Sequence, residues 1–243
     1  MLKIRSLQVS TAGKKILNGV DMSIESGQVV AIMGPNGSGK STLAFAIAGH
    51  PNYVVDSGNI EFLGKNITVT TPDERSRMGL FLSVQYPAAI AGLMVCNYLW
   101  QIYKLHNKDK KMLLSDFRIW MKEESVKLGL AGDIMSRSLN DGFSGGEKKK
   151  MEVLQMLCVK PKLVILDEID SGLDVESIKT IANRLVKMVQ EDGLTLMAIT
   201  HYSRILNYLK PSAVFVIKNG KVVASGDESL VASIEKEGYL KYD

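Results

Sequence analysis

Residues Val29-Val30-Ala31-Ile32-Met33-Gly34-Pro35-Asn36-Gly37-Ser38-Gly39-Lys40-Ser41-Thr42 decide the fold. The opening apolar run reads as a buried strand, the Gly-rich run as a tight loop, and Lys40 to Gly49 as a helix. Strand, Gly-rich loop and helix in that order are the setting a phosphate site requires. The loop fits G-x-x-x-x-G-K-[ST]. Its glycines let the backbone curl until N–H groups point inward at phosphate oxygens, and the helix N-terminus adds a favourable dipole. Gly34, Asn36, Gly37, Ser38, Gly39, Lys40, Ser41 and Thr42 are therefore the candidate phosphate-binding residues. Lys40 would neutralise β- and γ-phosphate charge and Ser41 would ligate Mg²⁺.

Two further stretches extend the reading. Leu163-Val164-Ile165-Leu166-Asp167-Glu168 is a buried strand that ends in two carboxylates, and open α/β sheets bind ligands at the carboxyl ends of their strands. Asp167 would hold Mg²⁺, and Glu168 would orient or deprotonate an attacking water. Phe143-Ser144-Gly145-Gly146-Glu147 opens a helix spanning Gly145–Val159. A hydroxyl, bare amides and a helix N-terminus together make a second anion-binding design.

Around these signals the chain divides. Leu2–Val9, Val20–Ile24 and Gly58–Leu63 read as strands of an N-terminal antiparallel portion. Gly79–Val84 is a short buried strand ending at Gln85. From Tyr86 to Asn140 the pattern predicts two amphipathic helices, Cys96–Lys108 and Asp116–Leu128, with no strand between them. Ser177–Gln190 is expected as a helix and Leu194–Thr200 as a strand that ends at His201. Asn219-Gly220 marks a hairpin between Ala213–Ile217 and Lys221–Ala224. The expected fold class is α/β: a P-loop NTPase core, residues 1–85 and 141–243, with an antiparallel β portion and an inserted helical subdomain at 86–140.

The order P-loop, Ser-Gly-Gly-Glu, Asp-Glu resembles the ABC-type ATPases, and the likeness covers nearly the whole chain. The resemblance implies ATP and Mg²⁺ as cofactors and roles for further residues. Gln85 falls at the family's glutamine loop, where it would sense Mg²⁺ and act with the catalytic pair Glu168 and His201. His201 would hydrogen-bond the γ-phosphate. Asp174, in Ser171-Gly172-Leu173-Asp174, falls at the dimer-contact loop. Two copies would close head to tail, so that Ser144, Gly145 and Gly146 of one contact, in trans, the nucleotide held by Lys40 of the other.

Within that family several segments are similar to the SufC-type ATPases of the SUF iron–sulfur cluster assembly system. These are Gly142–Lys149, Ile169–Asp174 after Glu168, Gln85-Tyr86-Pro87, and Thr200–Leu206 followed by Lys210-Pro211. That likeness implies SufB and SufD scaffold proteins as partners, docking near Gln85–Tyr103, and ATP-driven closure that distorts the scaffold. The ATPase subunit of a membrane transporter and a nucleotide-gated interaction subunit with little hydrolysis are the competing readings. Two departures stand out. Lys150 replaces the family's usual Arg. No aromatic residue lies in Ser10–Lys15 to stack on adenine, so base recognition is expected to be weak. The lysines Lys148–Lys150 suggest a resting lysine–carboxylate pair that holds Glu168 out of position.

Composition narrows the setting. The 243 residues are 46% hydrophobic with a net charge of +4, a balance that argues for a packed core and against nucleic acid as a partner. Cys96 and Cys158 stand far apart in no CxxC pair. They point to a reducing compartment and are too few to hold a four-thiolate cluster. Met1 to Ser10 alternates like a strand and lacks the character of a signal or transit peptide. No apolar run is long enough to insert into a membrane. The expected location is the cytoplasm, with the plastid stroma as the alternative.

Overall fold

The computed structural model describes residues 1–200, 203–239 and 241. In chain order the elements are β1 (Leu2–Thr11), β2 (Lys14–Ile24), β3 (Val29–Met33), α1 (Lys40–Ala48), β4 (Tyr53–Phe62), β5 (Lys65–Asn66), α2 (Pro72–Arg77) and β6 (Leu80–Ser83). There follow β7 (Ile90–Met94), α3 (Val95–His106), α4 (Leu114–Lys127), a 3₁₀ turn at Ile134–Ser136, β8 (Ser138–Leu139) and α5 (Gly145–Val159). The remainder is β9 (Leu163–Asp167), α6 (Val175–Asp192), β10 (Thr195–Ile199), α7 (Ser203–Leu209), β11 (Ala213–Lys218), β12 (Lys221–Gly226) and α8 (Ser229–Glu237).

Among the described residues the main sheet has the order β12-β11-β3-β10-β9-β6. Its five strands from β11 to β6 run parallel, and β12 returns antiparallel through the Asn219-Gly220 turn. Burial on both faces explains the uninterrupted apolar runs of β3, β9 and β10. Side chains alternate between two cores, as the strand period of two requires. Val30, Ile32, Ile165 and Met197 pack on one face, with α1 and the second sheet. Val29, Ala31, Met33, Val164 and Leu166 point to the other, against α3, α5 and α6. The second sheet, β2-β1-β4-β5, is antiparallel and covers α1.

The helices follow their sequence logic. In α6, Ile178, Ile181, Ala182, Leu185 and Met188 recur at helical spacing and are buried. Asp174 caps its N-terminus, accepting from Ser177 N at 2.7 Å, and Gly193 ends it in the left-handed conformation. Most helix and strand expectations fall within a few residues of the observed bounds. In the segment from Tyr86 to Asn140 the two helices follow one another with no strand between them, as expected, but the reading lacked β7 and β8, which pair as a short antiparallel ribbon before and after the helices. Gly92 and the brevity of β8 hide that pairing from local periodicity. The helices α2, α7 and α8 lie outside the sequence expectations. For α2 a signal exists: Thr71 and Glu74 form a capping box, with a proline at the helix start.

Candidate nucleotide site

The phosphate loop joins the end of β3 to the start of α1 and passes close against β11. A side chain at Gly34 would put its Cβ 2.1 Å from the Ile217 carbonyl oxygen on β11, so only glycine fits. Lys40 is buried, and its Nζ donates to the carbonyls of Gly34 at 2.9 Å and Pro35 at 3.0 Å. Those bonds hold the loop curled around the ammonium. Burial lowers the Lys40 pKa, while Glu168 and Asp167 oppose that shift. The buried Ser38 hydroxyl has no hydrogen-bond partner among the described residues. An anion's oxygen would satisfy it, so the loop fits a phosphate group.

Parallel pairing of β9 beside β10 brings its carboxylates to the same end of the sheet as the loop. Ser41 Oγ donates to Asp167 Oδ1 at 3.1 Å. Burial raises the Asp167 pKa; the Ser41 hydrogen bond opposes it, Glu168 adds to it, and Lys149 and Lys40 oppose it. Glu168 takes φ 50°, in the left-handed region that side chains avoid. Its N–H donates to the Ile199 carbonyl at 2.9 Å, which anchors this turn to β10. The carboxylate Oε2 accepts from Gln85 Nε2 at 2.5 Å.

That contact replaces the expected lysine–carboxylate pair. Lys149 instead donates to Glu152 at 3.1 Å and to the Val84 carbonyl. Its reach is taken up at the exit of β6, where a buried carboxylate is the nearer partner. His201 lies outside the described residues.

A cavity of about 430 Å³ is lined by Asn36, Gly37, Gly39, Lys40, Ser41, Thr42 and Glu168, with Thr11, Ile16 and Tyr53. Thr11 on β1 stands opposite Tyr53 on β4. The Tyr53 ring stacks on Phe45 of α1, with centroids 5.0 Å apart and planes 10° from parallel. Ser10–Lys15 holds no aromatic residue, but Tyr53 brings one to the same cavity from another strand. Sequence reading missed it because no local pattern carries the pairing of β1 with β4.

Ser144, Gly145 and Gly146 lie apart from this cavity. Ser144 caps α5 through a capping box: its Oγ accepts from Glu147 N at 3.2 Å, and its own N–H donates to Glu147 Oε2 at 2.8 Å. Ser144 and Gly145 are exposed, as is Asp174. The hydrogen bond from the Ser144 N–H holds the Glu147 carboxyl below its usual range.

A parallel sheet with a curled lysine loop at its carboxyl edge, two carboxylates beside it and an exposed Ser-Gly-Gly helix start define an ATP-binding cassette. The chain matches the family described as ABC transporter over residues 17–171. It is 45% identical over 240 residues to a probable ABC transporter ATP-binding protein of Streptococcus pyogenes, covering 98% of this chain and 93% of that one. It is 41% identical over 242 residues to the probable ATP-dependent transporter SufC of Escherichia coli, covering 98% and 97%. The solved structure of a nucleotide-free ATP-binding cassette from an ABC transporter superposes with a TM-score of 0.78 at 26% identity, over 99% and 97% of the two chains. The chain belongs to the ABC transporter ATPase family, and its activity is the hydrolysis of ATP.

Proposed function

We propose that two copies of this chain hydrolyse ATP·Mg²⁺ together and drive a conformational change in a soluble SufB/SufD scaffold for iron–sulfur cluster assembly. The observation that carries the paired site is the position of Ser144–Gly146. This turn starts a helix, exposes Ser144 and Gly145, and lies outside the cavity of its own phosphate loop. Its Gly145 and Gly146 amides, at the helix N-terminus, suit an anion presented by another molecule.

In this reading Lys40 and the loop amides grip the β- and γ-phosphates. Ser41, Asp167 and Gln85 hold Mg²⁺; the hydroxyl and carboxylate oxygens suit a hard cation and already lie 3.1 Å apart. When bound, Mg²⁺ neutralises charge on the β- and γ-oxygens. Glu168 orients the attacking water and accepts its proton. His201 hydrogen-bonds the γ-phosphate. Ser144, Gly145 and Gly146 complete the partner's site, and Asp174 lies at the contact between copies. Tyr53 and Ile16 form the wall for the base.

The scaffold role rests on 41% identity to a SufC along nearly the full chain and on the Ile169–Asp174 and Gln85-Tyr86-Pro87 segments. Among the described residues no helix is long and apolar enough to cross a membrane. A groove of about 470 Å³ between α1, β6 and α3, lined in part by Phe81, Pro87, Ala88, Ile90 and Tyr98, suits the scaffold contact. The proposed location is the cytoplasm or the plastid stroma. Affinity capture of the tagged chain, with its partners identified by mass spectrometry, tests the role. Soluble SufB- and SufD-type proteins are expected; capture of a polytopic permease instead would overturn it.

A further inference from the structure

The buried pair Lys149–Glu152 does not line the nucleotide cavity, yet it grips the residue next to Gln85. β6 is an edge strand whose sheet pairing ends at Ser83, opposite Leu166. Val84 is half-buried and follows with its N–H and carbonyl beyond the ladder, where polar groups shielded from water need partners. Glu152 Oε1 accepts from Val84 N at 3.2 Å, and Lys149 Nζ donates to the Val84 carbonyl. Glu152 Oε2 also accepts from Ser83 Oγ at 2.7 Å and from Lys149 at 3.1 Å. Both backbone polar groups of Val84 are thus held by two side chains of α5. The next side chain along the chain, Gln85, donates to Glu168.

We infer that Lys149 and Glu152 are positioning residues: they clamp Val84 so that the helix carrying Ser144 at its start sets where Gln85 meets Glu168. The inference rests on the roles given above to Gln85 and Glu168. Ser144, Lys149 and Glu152 share one helix, α5 with its cap. A displacement of that helix as a second copy engages Ser144 therefore reaches Val84 through two direct hydrogen-bonding side chains. The same helix offers the serine turn outward and holds the glutamine inward.

Steady-state hydrolysis by the full chain in its assembled form tests the clamp. K149M/E152L replaces the ion pair by apolar side chains of similar bulk, a change that buried pairs commonly tolerate. Its kcat should fall about tenfold or more, as small misplacements of reacting groups do, with KM for ATP and binding of a non-hydrolysable analogue unchanged. K149R retains a cation that reaches the Val84 carbonyl and should keep most of the kcat. In a Q85A background, K149M/E152L should cause no further loss, because the two changes act through one contact. Normal kcat in K149M/E152L with a slow Q85A sinks the clamp alone. So do losses that multiply in the combined variant. A Q85A variant at full speed sinks the role assigned to Gln85, and the clamp with it.

Discussion

Replacing Arg75 by Met should destabilise the chain by about 6 kcal/mol without touching the nucleotide site. Arg75 is 2% exposed. Its Nη1 donates to the carbonyls of Ala46 and Ile47 at 2.7 Å each, at the C-terminal end of α1. Its Nη2 donates to the Thr68 carbonyl at 3.1 Å, and its Nε to the Thr70 carbonyl and hydroxyl, both at 3.1 Å. Nη1 has one N–H for each of its two carbonyls, whereas Nε splits its single N–H between two acceptors, so four charged hydrogen bonds are the fair count. At about 1.5–3 kcal/mol each they contribute roughly 6–12 kcal/mol. Against this, burial lowers the guanidinium pKa to about 10, a desolvation cost of about 3 kcal/mol. The difference spans roughly 3–9 kcal/mol and centres near 6. Urea denaturation followed by fluorescence reads it as a lower midpoint at constant slope. R75K should lose about half as much, because an ammonium cannot match the planar fork. A loss below about 3 kcal/mol in R75M would refute the reasoning, since the helix-end carbonyls would then have found other partners. Gly49 is bound to the same arrangement: a Cβ there would sit 2.8 Å from Arg75 Nε, at φ +76°.

The other expected outcomes concern the site. E168Q should slow hydrolysis by about 10²–10⁴-fold while ATP binding survives, as measured by single-turnover assay and by equilibrium binding. Y53A removes an aromatic wall, and the loss of about 1–3 kcal/mol typical of base stacking should weaken ATP affinity about tenfold at unchanged saturated turnover. For Glu147 the capping hydrogen bonds depress the carboxyl pKa below its ordinary 4.5. A depressed folded-state pKa adds stability that is present above 4.5 and is lost as pH falls through the folded value. The stability advantage of the native chain over E147Q should follow that course in denaturation curves taken from neutral to acid pH. An advantage that persists in strong acid would rule out the charge as its source.

The centre of the fold was legible because its signals are local. The phosphate loop, the strand ending in Asp167 and Glu168, and the Asn219-Gly220 turn each join composition to position within a few residues. Tyr53 was not legible, since its place beside Thr11 depends on a strand pairing across the N-terminal sheet. The β7–β8 ribbon escaped for the same reason: Met94 meets Ser138 only after two helices have intervened. Charge alone pointed Lys149 toward Glu168, but geometry gives that lysine to Glu152. The choice between two acids is settled by which one lies beyond the end of β6, and sequence separation does not encode that. The capping box at Thr71 was readable and marks a helix whose buried arginine then ties it to α1.

The edge position of β6 has a consequence for how such machines diversify. A strand on the rim of a sheet can hand its tail to whatever is built alongside, leaving the inner strands undisturbed. Rebuilding the segment after Gln85 should therefore leave β9, β3 and the nucleotide cavity unaltered.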